Sequence, residues 1–246
     1  MIRVYPDLES LSRAAAALLV TQANLAVAAR GRFSVALSGG ATPRRTYELL
    51  AASPLKDQAP WDRVHVFWGD ERGVPPDDPR SNACMAREAW LDRAPIPGHQ
   101  IHPINCAQDP AAAARGYEAQ LREFFAGQPP RLDLVLLGLG HDGHTASLFP
   151  GTKVLAATRR WVAAVSVADQ NLYRVTLTAP LINQAAMVAF LVAGGAKAEV
   201  LREVLHGPRD PARLPAQLIQ PQNGELLWLT DLAAAAQLPV GFTYLA

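Results

Sequence analysis

The segment GLGHDGHTASLFPG, from Gly138 to Gly151, contains two histidines three residues apart with an aspartate between them. It follows an apolar run over residues 132–137, which is typical of a buried strand. Glycine adopts backbone angles that other residues resist, so this segment can fold closely around a strand end. His144 has the stronger claim to function because it follows Gly143 and leads into a turn. A histidine packed in the core is the ordinary alternative for either imidazole.

The same spacing raises the question of a metal site formed by His141, Asp142 and His144. The remaining histidines are scattered and offer no clear third ligand, and the sequence has no HExxH motif. We therefore expect no metal here.

A second candidate is the segment LSGGATPRRTYELL, residues 37–50, in which a strand, small residues and a helix follow in order. Ser38, Gly39 and Gly40 let the backbone approach a ligand, and Thr42 is the predicted N-cap of the helix. The helix N-terminus favours an anion, so the more specific hypothesis is a site for a phosphate group rather than for a nucleotide. The segment matches neither a Walker A loop nor GxGxxG, and a tight turn is the plain alternative.

A third group follows the predicted strand VHVFW. Asp70, Glu71 and Arg72 stand at its end, where they could offer a carboxylate and a guanidinium to a substrate. Adjacent acidic and basic residues more often form a solvated turn, and this alternative remains open.

A fourth strand end is LVAGGAKAEVL, which places Lys197 in the first turn of a helix. A cation there opposes the helix dipole, and a bound anion would remove that conflict. The chain has only three lysines, so a lysine at this position is stronger evidence for a functional role than it would be in a lysine-rich chain.

Composition limits the class of protein. The chain has 246 residues, 50% hydrophobic and 18% charged, as expected of a globular domain. A net charge of +1 argues against a nucleic-acid partner bound by bulk electrostatics. Cys84 and Cys106 form no CxxC pair, which favours a reducing cytoplasm. We see no signal peptide and no apolar run near the length of about 18 residues that spans a membrane.

The predicted elements alternate between strands and helices, which indicates one α/β domain over residues 1–246 with a mainly parallel sheet and helices on both faces. Ligands bind beyond the carboxyl ends of such strands. The predicted helices are 8–30, 42–50, one beginning at Ser81, 111–125 and 196–205. The predicted strands are 33–37, 64–68, 132–137, 161–167, 173–178, 187–193, 216–219 and 226–229.

Five segments together resemble the 6-phosphogluconolactonases of the pentose phosphate pathway: LSGGATP, GDERGVPPDDPRSN, GLGHDGHTASLFPG, RVTLTAPLIN and GGAKAEVL. The segment DGHTASLFPG is highly specific, whereas SGGxTP is shared with related amino-sugar-phosphate deaminases and isomerases. The resemblance implies a Rossmann-like fold and the hydrolysis of 6-phospho-D-glucono-1,5-lactone to 6-phosphogluconate, without a cofactor.

The resemblance also implies roles for individual residues. His144 matches the base that activates water, and Asp142 orients it. Arg72 matches the family's site arginine, serving either the phosphate or the lactone carbonyl, and Lys197 matches the lysine that meets the phosphate. His141 receives no role. The implied partner is a small phosphosugar lactone, and the expected state is a monomer.

Two rivals remain. A deaminase or isomerase of the same fold would use a carboxylate base, and Asp70 could serve. Arg72 stands where those enzymes carry a tyrosine, and TASLFPG replaces their continuation after DGH, so both features count against it. A sugar-phosphate sensor would carry a DNA-binding segment, and the N-terminal stretch has no basic helix-turn-helix.

Overall fold

The structure is a computed structural model that describes residues 1–106, 109–167, 172–239 and 243–244. Its strands are β1 (Ile2–Tyr5), β2 (Phe33–Leu37), β3 (Val64–Trp68), β4 (Asp70–Arg72), β5 (Leu134–Leu137), β6 (Val162–Val167), β7 (Leu172–Leu177), β8 (Met187–Val192), β9 (Glu225–Asp231) and β10 (Thr243–Tyr244). Its α-helices are α1 (Leu8–Arg30), α2 (Ala41–Leu50), α3 (Asn82–Ala86), α4 (Pro110–Phe125), α5 (Ala179–Ile182) and α6 (Ala198–His206).

The central sheet has seven strands in the order β10-β1-β9-β8-β5-β2-β3. Every pairing in it is parallel. All residues of β2, β5 and β8 are buried, because other elements cover both faces of the sheet. The α/β class and the mainly parallel sheet predicted from the sequence are confirmed.

The strand order positions the functional edge. β2 lies between β3, which follows it in the chain, and β5, so the order of the strands reverses there. Ligands of open α/β sheets bind at such a reversal, outside the carboxyl ends of the strands. The four segments that contain the candidate functional residues follow four adjacent strands at their carboxyl ends. These strands are β8, β5, β2 and β3. At an inter-strand spacing of about 4.8 Å, this edge spans roughly 14 Å.

The long helix α1 belongs to the core. Asp7 caps its start by accepting a hydrogen bond from the backbone of Ser10, and Gly31 ends it in the left-handed conformation. Among the described residues it is the one helix long and apolar enough, by length and composition, to cross a membrane, with a mean hydropathy of 1.3, contrary to the sequence expectation. Its inward face nevertheless packs in the protein core through Leu11, Ala15, Ala16, Leu19 and Ala23, all fully buried.

A second, three-stranded antiparallel sheet with the order β4-β7-β6 is absent from the sequence prediction. Its first strand has only three residues, all of them charged, and the chain pattern there favours a solvated loop. Pairing with β7 sets Asp70 opposite Thr176 and Arg72 opposite Arg174. The predicted turn is therefore a strand that holds its side chains in fixed register beside the functional edge.

Two local predictions are wrong, and strand β1 was not predicted. Helix α2 begins at Ala41 with Gly40 as its N-cap, so Thr42 lies inside the helix. The predicted strand 216–219 is a 3₁₀ turn over Pro215–Leu218, because the backbone and the Gln217 side chain bond locally to neighbouring turns. The short strand β1 has no counterpart among the predicted elements, and it pairs with β9 and β10.

Candidate active site

A cleft of about 240 Å³ opens beyond the carboxyl ends of β2, β3, β5 and β8. Six of the nine predicted site residues line it: Ser38, Gly39, Asp70, Arg72, His144 and Lys197. Asp142 reaches the cleft through its contact with His144. Gly40 and Thr42 are not among its lining residues, so nothing places them at the ligand directly. Four segments far apart in the sequence thus meet at one concave site.

His144 is held in one orientation by Asp142. Its Nδ1 lies 2.5 Å from Asp142 Oδ1, and its backbone N–H donates to the same oxygen over 3.2 Å. The ring of Phe149 packs against the imidazole with centroids 4.3 Å apart. Since the carboxylate occupies Nδ1, the proton of a neutral imidazole resides there and Nε2 is an acceptor. Among the described residues, Nε2 has no hydrogen-bond partner.

The carboxylate of Asp142 is stabilised in its charged form by this pairing. Burial alone would raise the pKa of Asp142, but the charge and hydrogen bonds of His144 outweigh burial, so the pKa lies below its ordinary value. Asp142 therefore stays ionised at neutral pH and can stabilise a positive charge that forms on the imidazole.

Glycines make this pairing possible. A Cβ on Gly140 would lie 2.0 Å from His144 Nδ1 and 2.6 Å from Asp142 Oδ1, so no side chain fits beneath the pair. Gly143 has φ +77°, and a Cβ there would lie 2.6 Å from the side chain of Leu214. The backbone N–H of Ala216 donates to the carbonyl of Gly143 over 2.9 Å. We call residues 138–151 the histidine loop. The segment around Leu214 thus packs behind this loop and supports it, a contact that the sequence does not indicate.

Two guanidinium groups belong to the cleft, and that of Arg174 lies over the Phe149 ring, 5.3 Å from its centroid. Arg72 and Arg174 face each other across the β4–β7 pairing, and both line the cleft. Like charges in such register repel, so the arrangement favours a bound anion. Burial lowers the pKa of Arg174, and Arg72 lowers it further, whereas Asp70 opposes the shift. Arg72 Nε is buried without a hydrogen-bond partner among the described residues.

Asp70 is 5% exposed, and both of its carboxylate oxygens have partners. Oδ2 accepts a 2.6 Å hydrogen bond from Ser147 Oγ and lies 3.6 Å from Arg174 Nη1. Oδ1 accepts from the side chain of Asn82 over 3.2 Å. These contacts join the β3 end, the histidine loop and β7 through one carboxylate. Asp70 is therefore better suited to holding the arginine and the loop than to moving a proton.

Glu71 has a structural role. Its buried carboxylate accepts backbone hydrogen bonds from Arg72, Asn82 and Ala83 at 2.7 Å each. Burial raises the pKa of Glu71 above its ordinary value, although these donors oppose the shift. Its side chain fixes the start of α3 and leaves Asp70 and Arg72 to face the cleft.

Two uncapped helix N-termini meet the cleft. α2 begins after Gly39 and Gly40 with no side-chain cap and no acidic residue in its first turn, and Lys197 precedes α6, also without a side-chain cap. By contrast, α1 and α4 begin with capping aspartates. The free N–H groups at the start of α2 favour an anion, whereas the turn before α6 already bonds the N–H groups of Lys197 and Ala198 to the carbonyls of Gly194 and Gly195. Ser38 Oγ, which is buried without a partner among the described residues, adds a hydroxyl at the same edge.

Lys197 also lines the cleft, near Asp142 of the histidine loop. Burial lowers the pKa of Lys197, and the charge of Asp142 partly opposes that shift. A half-buried ammonium beside a helix N-terminus is locally unfavourable, and an anionic ligand would relieve it.

Residues that the sequence prediction lacks are Arg174, Ser147, Asn82 and Leu214. Arg174 and Ser147 lie in RVTLTAPLIN and GLGHDGHTASLFPG, yet their types alone do not distinguish them. Within the described part of the chain, no group of three or more His, Cys, Asp and Glu side chains is arranged to hold a metal ion.

The chain matches the model of one known protein family. The model of the family "Glucosamine-6-phosphate isomerases/6-phosphogluconolactonase" matches residues 6–228, which is most of the chain. The chain belongs to this family.

Within the family, several relatives that are similar to most of this chain are named 6-phosphogluconolactonases. A 6-phosphogluconolactonase of Nostoc sp. is 47% identical over 243 residues, covering 97% of this chain and 98% of the relative. One from Synechocystis sp. is 49% identical over 224 residues, covering 89% and 90%. Among solved structures, a 6-phosphogluconolactonase from Trypanosoma cruzi superposes with a TM-score of 0.86 at 30% identity, covering 96% of each chain.

Proposed function

We propose that this chain hydrolyses 6-phospho-D-glucono-1,5-lactone to 6-phospho-D-gluconate, in the oxidative branch of the pentose phosphate pathway. The observation that carries the proposal is the His144–Asp142 pair, whose unoccupied Nε2 belongs to a cleft lined by three cationic side chains. The high identity to 6-phosphogluconolactonases over nearly the whole chain supports the same reaction.

In the proposed mechanism His144 acts as a general base. Its Nε2 takes a proton from water as the water oxygen bonds to the lactone carbonyl carbon. Asp142 stabilises the resulting imidazolium. The tetrahedral intermediate then breaks its bond to the ring oxygen, and the imidazolium returns the proton to that oxygen. The products are a free hydroxyl and a carboxylic acid, which ionises at neutral pH.

The phosphate is assigned to Lys197 and to the segment Ser38–Gly39 before the α2 N-terminus, whereas direct contacts from Gly40 and Thr42, which do not line the cleft, stay predictions from the sequence. Its contacts supply binding energy remote from the reacting bond. Arg72 meets either this phosphate or the developing oxyanion, with Arg174 beside it. An Arg72→Ala variant separates the two roles, because loss of a phosphate contact raises KM and loss of an oxyanion contact lowers kcat.

The contacts of Asp70 weigh against the deaminase or isomerase alternative. A carboxylate base needs a free oxygen facing the substrate, whereas Asp70 accepts hydrogen bonds from Ser147 and Asn82 and lies beside Arg174. We assign Asp70 to positioning within the lactonase site. The protein is expected to act in the cytoplasm as a monomer, without a metal or redox cofactor.

The test is acid release from freshly prepared 6-phosphogluconolactone, followed with a pH indicator in weak buffer. The spontaneous opening rate, measured without protein, is subtracted. An accelerated rate that is proportional to protein concentration supports the proposal. No acceleration of the lactone, together with turnover of an amino-sugar phosphate, would show that the deaminase assignment is right instead.

A further inference from the structure

The end of β2 is closed by a tyrosine from the helix that follows it. The hydroxyl of Tyr47 accepts a hydrogen bond from the Ser38 backbone N–H over 3.1 Å and donates to the Ser38 carbonyl over 2.9 Å. Tyr47 is fully buried in the second turn of α2. One phenol therefore satisfies both backbone groups of the first residue beyond the strand.

The position of Ser38 explains why such a contact is needed. The β2–β3 pairing ends with Leu37 opposite Trp68, and the β2–β5 pairing ends earlier, at Ala36. The backbone of Ser38 is thus buried but outside both ladders. A buried peptide group without hydrogen-bond partners lowers the stability of the fold. The Tyr47 hydroxyl supplies the two hydrogen bonds that a neighbouring strand would otherwise make with Ser38. Burial raises the pKa of Tyr47, so the phenol keeps the proton that it donates.

The neighbouring residue is fixed from the opposite side. A Cβ on Gly39 would lie 1.8 Å from the side-chain oxygen of Asn82, so the Gly39 backbone lies directly against that amide. Asn82 in turn donates to the carbonyl and the carboxylate of Asp70. Ser38 and Gly39 therefore lie between a phenol and an amide, which leaves their backbone little freedom to rotate.

We propose that Tyr47 is a positioning residue for substrate binding, which aims the Ser38 hydroxyl and the Gly39 N–H at the phosphate. The inference rests on the proposed function. Ser38 is only 5% exposed, lines the cleft, and its Oγ has no partner among the described residues. A rotation of the Ser38 peptide would turn both donors away from the ligand. Tyr47 does not line the cleft, and its hydroxyl contacts Ser38 and not His144, so its effect should fall on binding rather than on the chemical step.

The chain offers a matched control. The hydroxyl of Tyr117 makes the same double contact with Trp68 at the end of β3, accepting over 2.8 Å and donating over 3.0 Å. Tyr117 is also buried, but Trp68 does not line the cleft. Tyr47→Phe and Tyr117→Phe therefore each remove one buried hydroxyl with two backbone contacts, and only the first removes it from a cleft residue.

The experiment compares both variants with the parent in steady-state kinetics and in calorimetric binding of 6-phosphogluconate, the reaction product. We expect Tyr47→Phe to raise KM and the product Kd roughly tenfold, with kcat within about threefold and the pH profile unchanged. Tyr117→Phe should leave KM and the product Kd within about twofold of the parent values. Both variants should lower the midpoint of urea unfolding by a similar amount. Equal KM changes in both variants, or a loss confined to kcat, would overturn the inference.

Hydrogen exchange in the parent protein gives a second readout that needs no variant. If Tyr47 holds the peptide in advance of binding, the Ser38 N–H should exchange as slowly as the β2 amides without ligand. Rapid exchange that slows only when the product binds would contradict the inference. The binding arm also separates the two proposals, because product affinity can be measured even if the parent fails to hydrolyse the lactone.

Discussion

Nδ1 of His144 lies 2.5 Å from Oδ1 of Asp142, two residues earlier in the same loop. The backbone N–H of His144 reaches the same oxygen. A single carboxylate thus sets both the ring orientation and the local turn. The imidazole consequently presents one defined nitrogen, Nε2, as a hydrogen-bond acceptor.

Gly140 should be intolerant of a side chain because the pair packs directly over it. We expect Gly140→Ala to lower kcat at least about tenfold while the protein stays folded, since the methyl group displaces His144 from Asp142 and a positioned base contributes about 10²–10⁴-fold. Steady-state kinetics and circular dichroism measure the two effects. Gly116→Ala in α4, where a Cβ meets nothing within 4 Å, is the control and should keep full activity. Full activity of Gly140→Ala would contradict the described loop geometry.

Lys197→Ala should weaken binding of the phosphorylated substrate by roughly 1.5–3 kcal/mol, the range for a hydrogen bond to a charged group. The measurement is KM for 6-phosphogluconolactone, with glucono-1,5-lactone as the unphosphorylated comparison. The exposed Lys153, which does not line the cleft, provides the control Lys153→Ala. If the parent hydrolyses both lactones equally well, no phosphate site operates in this cleft.

Prolonged treatment with a chelator should leave lactonase activity unchanged, because in the proposed mechanism His144 activates the water and no metal takes part. Activity is measured after dialysis against chelator and again after zinc is added. A loss that zinc restores would show that the histidine-aspartate segment holds a metal.

His102 should make the fold sensitive to acid. Burial, and then the charges of His65 and His99, lower the pKa of His102 to about 4. Between pH 6.5 and 4 the unfolded chain therefore binds more protons than the folded one, so stability is complete above this window and falls as pH falls through it. At pH 5 we expect a loss of about 1 kcal/mol, allowing for partial solvent screening.

Urea unfolding at pH 7 and pH 5 measures this loss. His102→Gln should reduce the difference between the two pH values, and the control variant His206→Gln should retain it. The same pH dependence in His102→Gln as in the parent would place the acid sensitivity elsewhere in the protein.

Much of this arrangement could be predicted from the sequence, and the failures have physical causes. The strands 33–37 and 64–68 match the prediction because their apolar runs have clear ends. The β4 strand escaped detection because Asp70–Arg72 is short and charged, and it pairs with a strand about a hundred residues away. Arg174 needs that same pairing before it reaches the cleft. Thr42 was assigned by residue type, whereas the backbone lets Gly40 begin the helix.

The central claim is that His144 is the base, and steady-state kinetics of His144→Ala across pH tests it most directly. We predict that kcat falls by at least about 10²–10⁴-fold with KM little changed. The parent rate should decrease on acidification because a protonated imidazole accepts no proton, and the residual rate of the variant should lose that dependence. His141→Ala should stay within a few-fold of the parent. Retained activity in His144→Ala, or an inactive His141→Ala, would contradict the assignment.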